Sequence, residues 1–398
     1  MSIPRPAAEV WPAPSRPDRP ASDTVRPLNM ANGFTLWLVT GYAQVRQALS
    51  DPRLAKDSHT TAQLLRDRSI QAHQALFGQA LLHHMLNTDP PEHRRLRQMV
   101  NKGFTQRRVQ ALRPRIERIT DDLLAAIGED GPVDLIEALA FPLPITVICE
   151  LLGVPEADRR TFRSWTNAFV LSVEPDVLQN ALTSLDRYIH DLVAEKRRSP
   201  GDDIISGLVT EDGEDALTDD EVAAMAVLLL AAGHETTVNL IGNGVLALVT
   251  HPDQLAALRA DRSLLPGAIE EFLRFESPVN QATLRYTDEA VEIGGTTIPA
   301  GEFVMINIDS ANHDPERYPD PDRMDLRRDA GGHMAFGHGI HFCLGAPLAR
   351  LEAEVVFGRL LDTFGGIELA LPVERLEWRP STLMRGLEKL PLRMVRRP

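Results

Sequence analysis

The clearest chemical signature lies in Phe336-Gly337-His338-Gly339-Ile340-His341-Phe342-Cys343-Leu344-Gly345. Gly337 and Gly339 permit a tight turn without a Cβ penalty. The cysteine closes that loop, and Pro347 falls in the first turn of a following helix. A thiolate at a helix N-terminus meets the dipole and backbone N–H groups, which lower its pKa and tune its donor strength. Gly345 removes a side chain where a flat macrocycle could press on the backbone. The other cysteine, Cys149, lies in the apolar run 143–152 and reads as a small core residue.

Three further patterns carry chemistry. Ala232-Gly233-His234-Glu235-Thr236-Thr237 interrupts an apolar helical stretch with residues of poor helix propensity. A threonine hydroxyl there can bond the i−4 carbonyl. Glu235 and Thr236 form an acid–alcohol pair able to relay protons, although a solvent-facing helix segment reads the same. Glu271 and Arg274, at i and i+3, share one helix face, a spacing that also suits a plain surface ion pair. His93 and Arg97 follow Pro90-Pro91 at i and i+4, and two basic groups on one face suit two carboxylates.

The cysteine loop resembles the haem-binding loop of the cytochrome P-450 superfamily, matching Phe-Gly-x-Gly-x-His-x-Cys-x-Gly at every fixed position. The resemblance runs from about Asp89 to Leu390, with the motifs in family order. It implies that Cys343 is the axial ligand of a b-type haem, within a loop shaped by Phe336, Gly337 and Gly345. By the same resemblance, His93, Arg97, Arg285 and His341 hold the haem propionates. Thr236 would hydrogen-bond dioxygen at the iron, and Glu235 would help deliver protons. Glu271, Arg274 and Arg323 would form a buried charge network behind the haem, with Met324 where the family more often has Phe.

The activity so implied is a monooxygenase that inserts one oxygen atom into an apolar or amphipathic organic substrate. A macrolide- or polyketide-like natural product is the expected class. Electrons would come from NAD(P)H through a separate ferredoxin and ferredoxin reductase. Two other readings stand beside it: the same fold catalysing ring coupling, nitration or peroxide-driven chemistry, and a haem sensor or carrier without turnover. The acid–alcohol pair favours dioxygen use over both.

The elements that must position these groups are mostly helical. Apolar residues recur at helical spacing over 108–127, 141–152, 158–173, 176–197, 218–249 and 347–363. Residues 34–40 read as a strand, and 291–304 as a small hairpin sheet with Gly-Gly and Pro-Ala-Gly turns. Six prolines in the first twenty residues make 1–25 an extended arm, leaving 26–398 as one large, mainly α unit with a minor β portion. The stretches expected to line the substrate pocket are the loop before His93, 169–173, 227–232, 278–283 and 382–384.

Composition narrows the partners. A net charge of −14 excludes general nucleic-acid binding, which needs a basic footprint. Against it, Arg94, Arg95, Arg97, Lys102, Arg107 and Arg108 crowd one stretch. They read either as a solvated helix face or as a docking face for an acidic partner such as ferredoxin. There is no apolar N-terminal run, and the most apolar stretch, 222–233, falls short of the ~20 residues that span a bilayer. The expectation is a soluble, cytoplasmic monomer.

Overall fold

The computed structural model describes residues 24–29, 35–68, 83–128, 131–159, 161, 164–165 and 175–397. Most of the expected arm, and residues 169–173, lie outside the described residues. The helices are α1 (Tyr42–Ser50), α2 (Ser58–Asp67), α3 (Glu92–Asn101), α4 (Gln106–Ala111), α5 (Arg113–Ala125), α6 (Pro142–Leu152) and α7 (Pro175–Arg198). They continue with α8 (Ile204–Val209), α9 (Asp219–Thr250), α10 (Pro252–Ala260), α11 (Leu265–Phe275), α12 (Ile308–Asn312) and α13 (Ala346–Thr363). The strands are β1 (Val25–Asn29), β2 (Thr35–Val39), β3 (Leu54–Ala55), β4 (Val133–Asp134) and β5 (Arg285–Thr287). After them come β6 (Val291–Ile293), β7 (Thr296–Ile298), β8 (Phe303–Ile306), β9 (Phe364–Leu369) and β10 (Pro391–Arg396). The architecture is mainly helical with a minor sheet portion, as the periodicity requires.

The fold is organised around α9, whose 32 residues are apolar on nearly every face. A helix of that kind belongs in a core. It packs against α6, α7, α11 and α13. By length and composition it could cross a membrane, which corrects the shorter estimate from the sequence, yet its apolar stretch is mostly enclosed by the protein. Its start is fixed by a capping box: the Thr218 hydroxyl accepts from Glu221 N–H, and the Glu221 carboxylate accepts from Thr218 N–H. Gly244 lets it approach its neighbours closely, because a Cβ there would stand 2.5 Å from the Phe357 ring of α13.

Two expected elements resolve differently. The helical stretch 108–127 is two helices, and Pro114, in the first turn of α5, marks the new start. The hairpin 291–304 is only β6 and β7. The turn at Gly301 (φ +76°) sends β8 into a different sheet, parallel to β2 and antiparallel to β5, in the order β1-β2-β8-β5-β3. That sheet places Arg285, at the start of β5, beneath α1. β4, β10 and β9 form a second sheet that ties the C-terminal strand to the start of the α6 region.

Candidate functional site

The cysteine loop is held by its own backbone. Cys343 N–H donates to Phe336 O at 2.9 Å, and Gly337 N–H donates to Met334 O at 2.8 Å. Gly337 (φ +71°) and Gly339 (φ +74°) adopt the left-handed conformation that the turn requires. A Cβ at Gly339 would also strike the Leu49 carbonyl at 2.8 Å. Gly345 differs: a Cβ there would sit 3.9 Å from Cys343 Sγ, an ordinary contact, so the protein alone does not demand glycine.

Cys343 opens onto a cavity of about 300 Å³ between α9 and the cysteine loop. Burial pushes its thiol pKa up, while Gly345 N–H, Arg97, Ala346 N–H and Arg350 pull it down. The net direction is upward for a sulfur that stands open to the cavity. A bound metal cation would reverse that balance. Cys149 behaves as expected of a core thiol: it is fully buried, and burial pushes it up to about 12.

One flank of the cavity gathers basic side chains. Arg97, Arg285, His341 and Lys56 line it, and the His93 ring lies 4.4 Å from that of His341. Burial, then Lys56, His93, Arg285 and Arg97, drive His341 down to about 2. Burial and Arg97 hold His93 at about 4. Burial lowers Arg285 to about 10 and Lys56 well below the usual lysine range. His93 Nε2 and Arg285 Nε are buried without a hydrogen-bond partner. The buried Arg285 and Lys56, with half-buried Arg97 beside them and the neutral imidazoles of His93 and His341 able to donate hydrogen bonds, call for anions. The two carboxylates of a haem would satisfy this cluster, Cys343 would supply its metal ligand and Gly345 leaves room, so the residues present fit that group. Lys56 was not foreseen. It precedes α2, far in sequence from any motif, and is one of only four lysines in the chain.

The opposite wall is apolar. Met85, Leu86, Leu228, Leu229, Val279 and Ala282 face the cavity together with Leu383 and Met384. These fall in the expected stretches; Ile148, Leu240 and Ile308 also line the cavity and were not expected. Thr236 and Thr237 face in from α9, and Thr236 Oγ1 donates to Ala232 O at 2.9 Å. Glu235 is not among the lining residues. It is turned to the other side of α9 and buried there in an ion pair with Arg379. The structure therefore separates the acid from the alcohol that the sequence places side by side.

The charge network behind the site is real, but its third member differs. Arg274 donates to Glu271 from Nε (2.7 Å) and Nη2 (2.8 Å), and both residues are fully buried. The second cation is Arg328, with Nε 3.3 Å from Glu271 Oε1. Arg323 is exposed and contributes only a carbonyl, which accepts from Arg328. The turn after α12 buries Met324, next to Arg323, and brings Arg328 inward instead. Of the basic stretch, Arg95 is likewise internal, shared between Glu92 and Glu221, whereas Arg94, Arg107 and Arg108 are exposed.

A family model described as Cytochrome P450 matches residues 173–369. Cytochrome P450 107B1 of Saccharopolyspora erythraea is 54% identical over 378 residues, covering 94% of this chain and 93% of that protein. Cytochrome P450 monooxygenase PikC of Streptomyces venezuelae is 50% identical over 368 residues, covering 92% of this chain and 86% of its own length. The solved structure of the tirandamycin C-bound P450 monooxygenase TamI superposes with a TM-score of 0.86 at 51% identity, covering 93% of this chain and 94% of that one.

Proposed function

The chain belongs to the cytochrome P450 family, and from that premise we propose that it is a haem-thiolate monooxygenase that hydroxylates or epoxidises an apolar or amphipathic natural product of macrolide or polyketide type. The observation that carries this reading is the single sulfur of Cys343 at one side of an apolar cavity, with the basic side chains of Lys56, His93, Arg97, Arg285 and His341 on its flank. The bound haem supplies dioxygen activation and oxygen insertion.

The chain's own residues do the rest. Cys343 ligates, and Gly345 N–H and Ala346 N–H lean on the sulfur and moderate its donor strength. Arg97, Arg285, His93, His341 and Lys56 would take the two propionates. Phe336 and Gly337 line the cavity from the cysteine loop and would shape the seat of the macrocycle. Thr236 holds a hydroxyl in the cavity that can accept one proton and pass on another, with Glu235 as the acid behind it. The apolar wall excludes water and orients a substrate by shape. TamI is solved with tirandamycin C bound, and at 51% identity that makes a polyketide-like guest the first to try.

Electrons are taken to come from NAD(P)H by way of a separate ferredoxin and its reductase, with Arg94, Arg107 and Arg108 as the docking face. The protein is taken to work as a cytoplasmic monomer. The test is the absorption spectrum of the purified ferric protein during titration with macrolides, linear polyketides (tirandamycin C among them), terpenes and aromatic acids. A shift from low to high spin with the first two classes is expected. No haem band after reconstitution would overturn the assignment. In Cys343→Ala the thiolate signature and activity should vanish together.

A further inference from the structure

Glu235, Asn239 and Asn243 recur at i, i+4 and i+8 and form a buried polar stripe on a face of the otherwise apolar α9. One segment meets all three, the hairpin 378–387. Arg379 ion-pairs with Glu235. A Cβ at Gly386 would stand 1.9 Å from Asn239 Oδ1, so the hairpin backbone presses directly on the stripe. Asn243 Nδ2 donates to Arg385 O at 2.9 Å.

The hairpin is tied together internally. Trp378 bridges to Leu387, Arg379 N–H donates to Gly386 O at 2.9 Å, and Met384 N–H donates to Ser381 Oγ at 3.0 Å. Arg385 lies 3.8 Å over the Trp378 ring and pairs with Glu276 at 2.5 Å. Its tip, Leu383 and Met384, is part of the cavity wall. One element thus touches the substrate space at one end and grips the acid behind Thr236 at the other.

We propose that Arg379 is a positioning residue that holds Glu235 away from the cavity, and that an occupant pressing on Leu383 and Met384 shifts the hairpin and releases the acid. The inference rests on the reading that Glu235 supplies protons. Among the described residues, the other charged or titratable group that pairs with Glu235 besides Arg379 is His234, with Nε2 3.8 Å from Oε2. The His234 Nδ1 is engaged by Leu230 O at 2.9 Å, so Nε2 is a bare acceptor and does not replace the guanidinium. Once released, the buried carboxylate takes a proton from water and passes it through the Thr236 hydroxyl to the cavity. The net change is one proton moved from solvent to the cavity, with Glu235 returned to its ionised form. An unoccupied cavity stays cut off from protons.

The test is infrared spectroscopy of the ferric holoprotein at neutral pH, read in the protonated-carboxyl C=O region. Arg379→Gln should gain one C=O band relative to wild type, and the Arg379→Gln/Glu235→Gln double variant should lose it. Arg379→Lys should restore the wild-type spectrum. Adding 4-phenylimidazole, an azole that ligates ferric haem and fills the space above it, should bring out the same band in wild type but not in Leu383→Ala/Met384→Ala. If Arg379→Gln gains no band, Arg379 does not hold the acid. If the azole leaves the wild-type spectrum unchanged, the hairpin does not couple the two ends. Failure of the underlying reading shows elsewhere: Glu235→Gln would then keep full coupling of NADPH to product, whatever the infrared result.

Discussion

Replacing Arg274 by methionine removes the cation at the centre of the buried network while nearly preserving volume. Four hydrogen bonds go with it: two to Glu271, one to Asn312 O at 2.9 Å and one to Pro321 O at 2.8 Å. Glu271 is left with Arg328 at 3.3 Å and Asp325 N–H at 3.0 Å, still without solvent. Breaking one side of a buried pair costs about 3–5 kcal/mol. At a urea slope of about 3 kcal/mol per M, the upper end of the usual range, the unfolding midpoint should drop by roughly 1–1.7 M. Arg328→Met removes a single longer contact to Glu271 and several to loop carbonyls, and should cost about 1–3 kcal/mol. Arg323→Met changes an exposed side chain and should stay within about 0.5 kcal/mol. The measurement is urea unfolding of the three holoproteins, followed by tryptophan fluorescence and haem absorbance together. Equal shifts for Arg274→Met and Arg323→Met would refute the network drawn here.

Other outcomes are equally definite. Lys56→Met should release haem to apomyoglobin about 10–100-fold faster, the equivalent of one charge-assisted hydrogen bond, while the apoprotein becomes more resistant to urea; unchanged transfer would remove Lys56 from the propionate site. Thr236→Ala should keep haem and substrate binding but convert much of the NADPH consumed into hydrogen peroxide, measured as peroxide per NADPH. Arg94→Glu and Arg108→Glu should slow reduction by ferredoxin, most at low salt, with spectral substrate affinity unaltered. Glu352, fully buried on α13, is raised by burial to about 8 from 4.5. Between those values the unfolded chain has lost that proton and the folded one retains it, so stability falls as pH rises. Glu352→Gln should abolish this fall, worth at most about 5 kcal/mol at ~1.4 kcal/mol per pH decade, in unfolding midpoints compared across that range.

How much of this was legible depended on whether spacing or loop geometry decided it. The cysteine loop was legible because Gly337, Gly339 and Cys343 are each dictated by local backbone or local chemistry. Long helices were legible because α7, α9 and α13 carry sustained periodicity, and their ends fell within a residue or two of expectation. Arg323 and Arg328 stand in one irregular turn, where five positions decide between solvent and core, and no period distinguishes them. Lys56 and Arg379 reach the site from distant segments, so only the tertiary fold connects them to it. The Glu235, Asn239, Asn243 stripe was present as helical spacing, but its partner hairpin carries no pattern of its own.

The parallel pairing of β2 with β8 has a consequence for how the molecule comes into being. Trp37 meets Val304, about 270 residues later, and at ~5–20 residues per second a ribosome needs on the order of 15–50 s to deliver the second after the first. Through that interval the amino-terminal strand has no partner on its inner edge, and Cys343 has not been made. Cofactor capture through Cys343 must therefore come after β8 has been made. Truncated nascent chains ending before Phe303 should expose an unsatisfied strand edge, the form in which this protein is most prone to self-association.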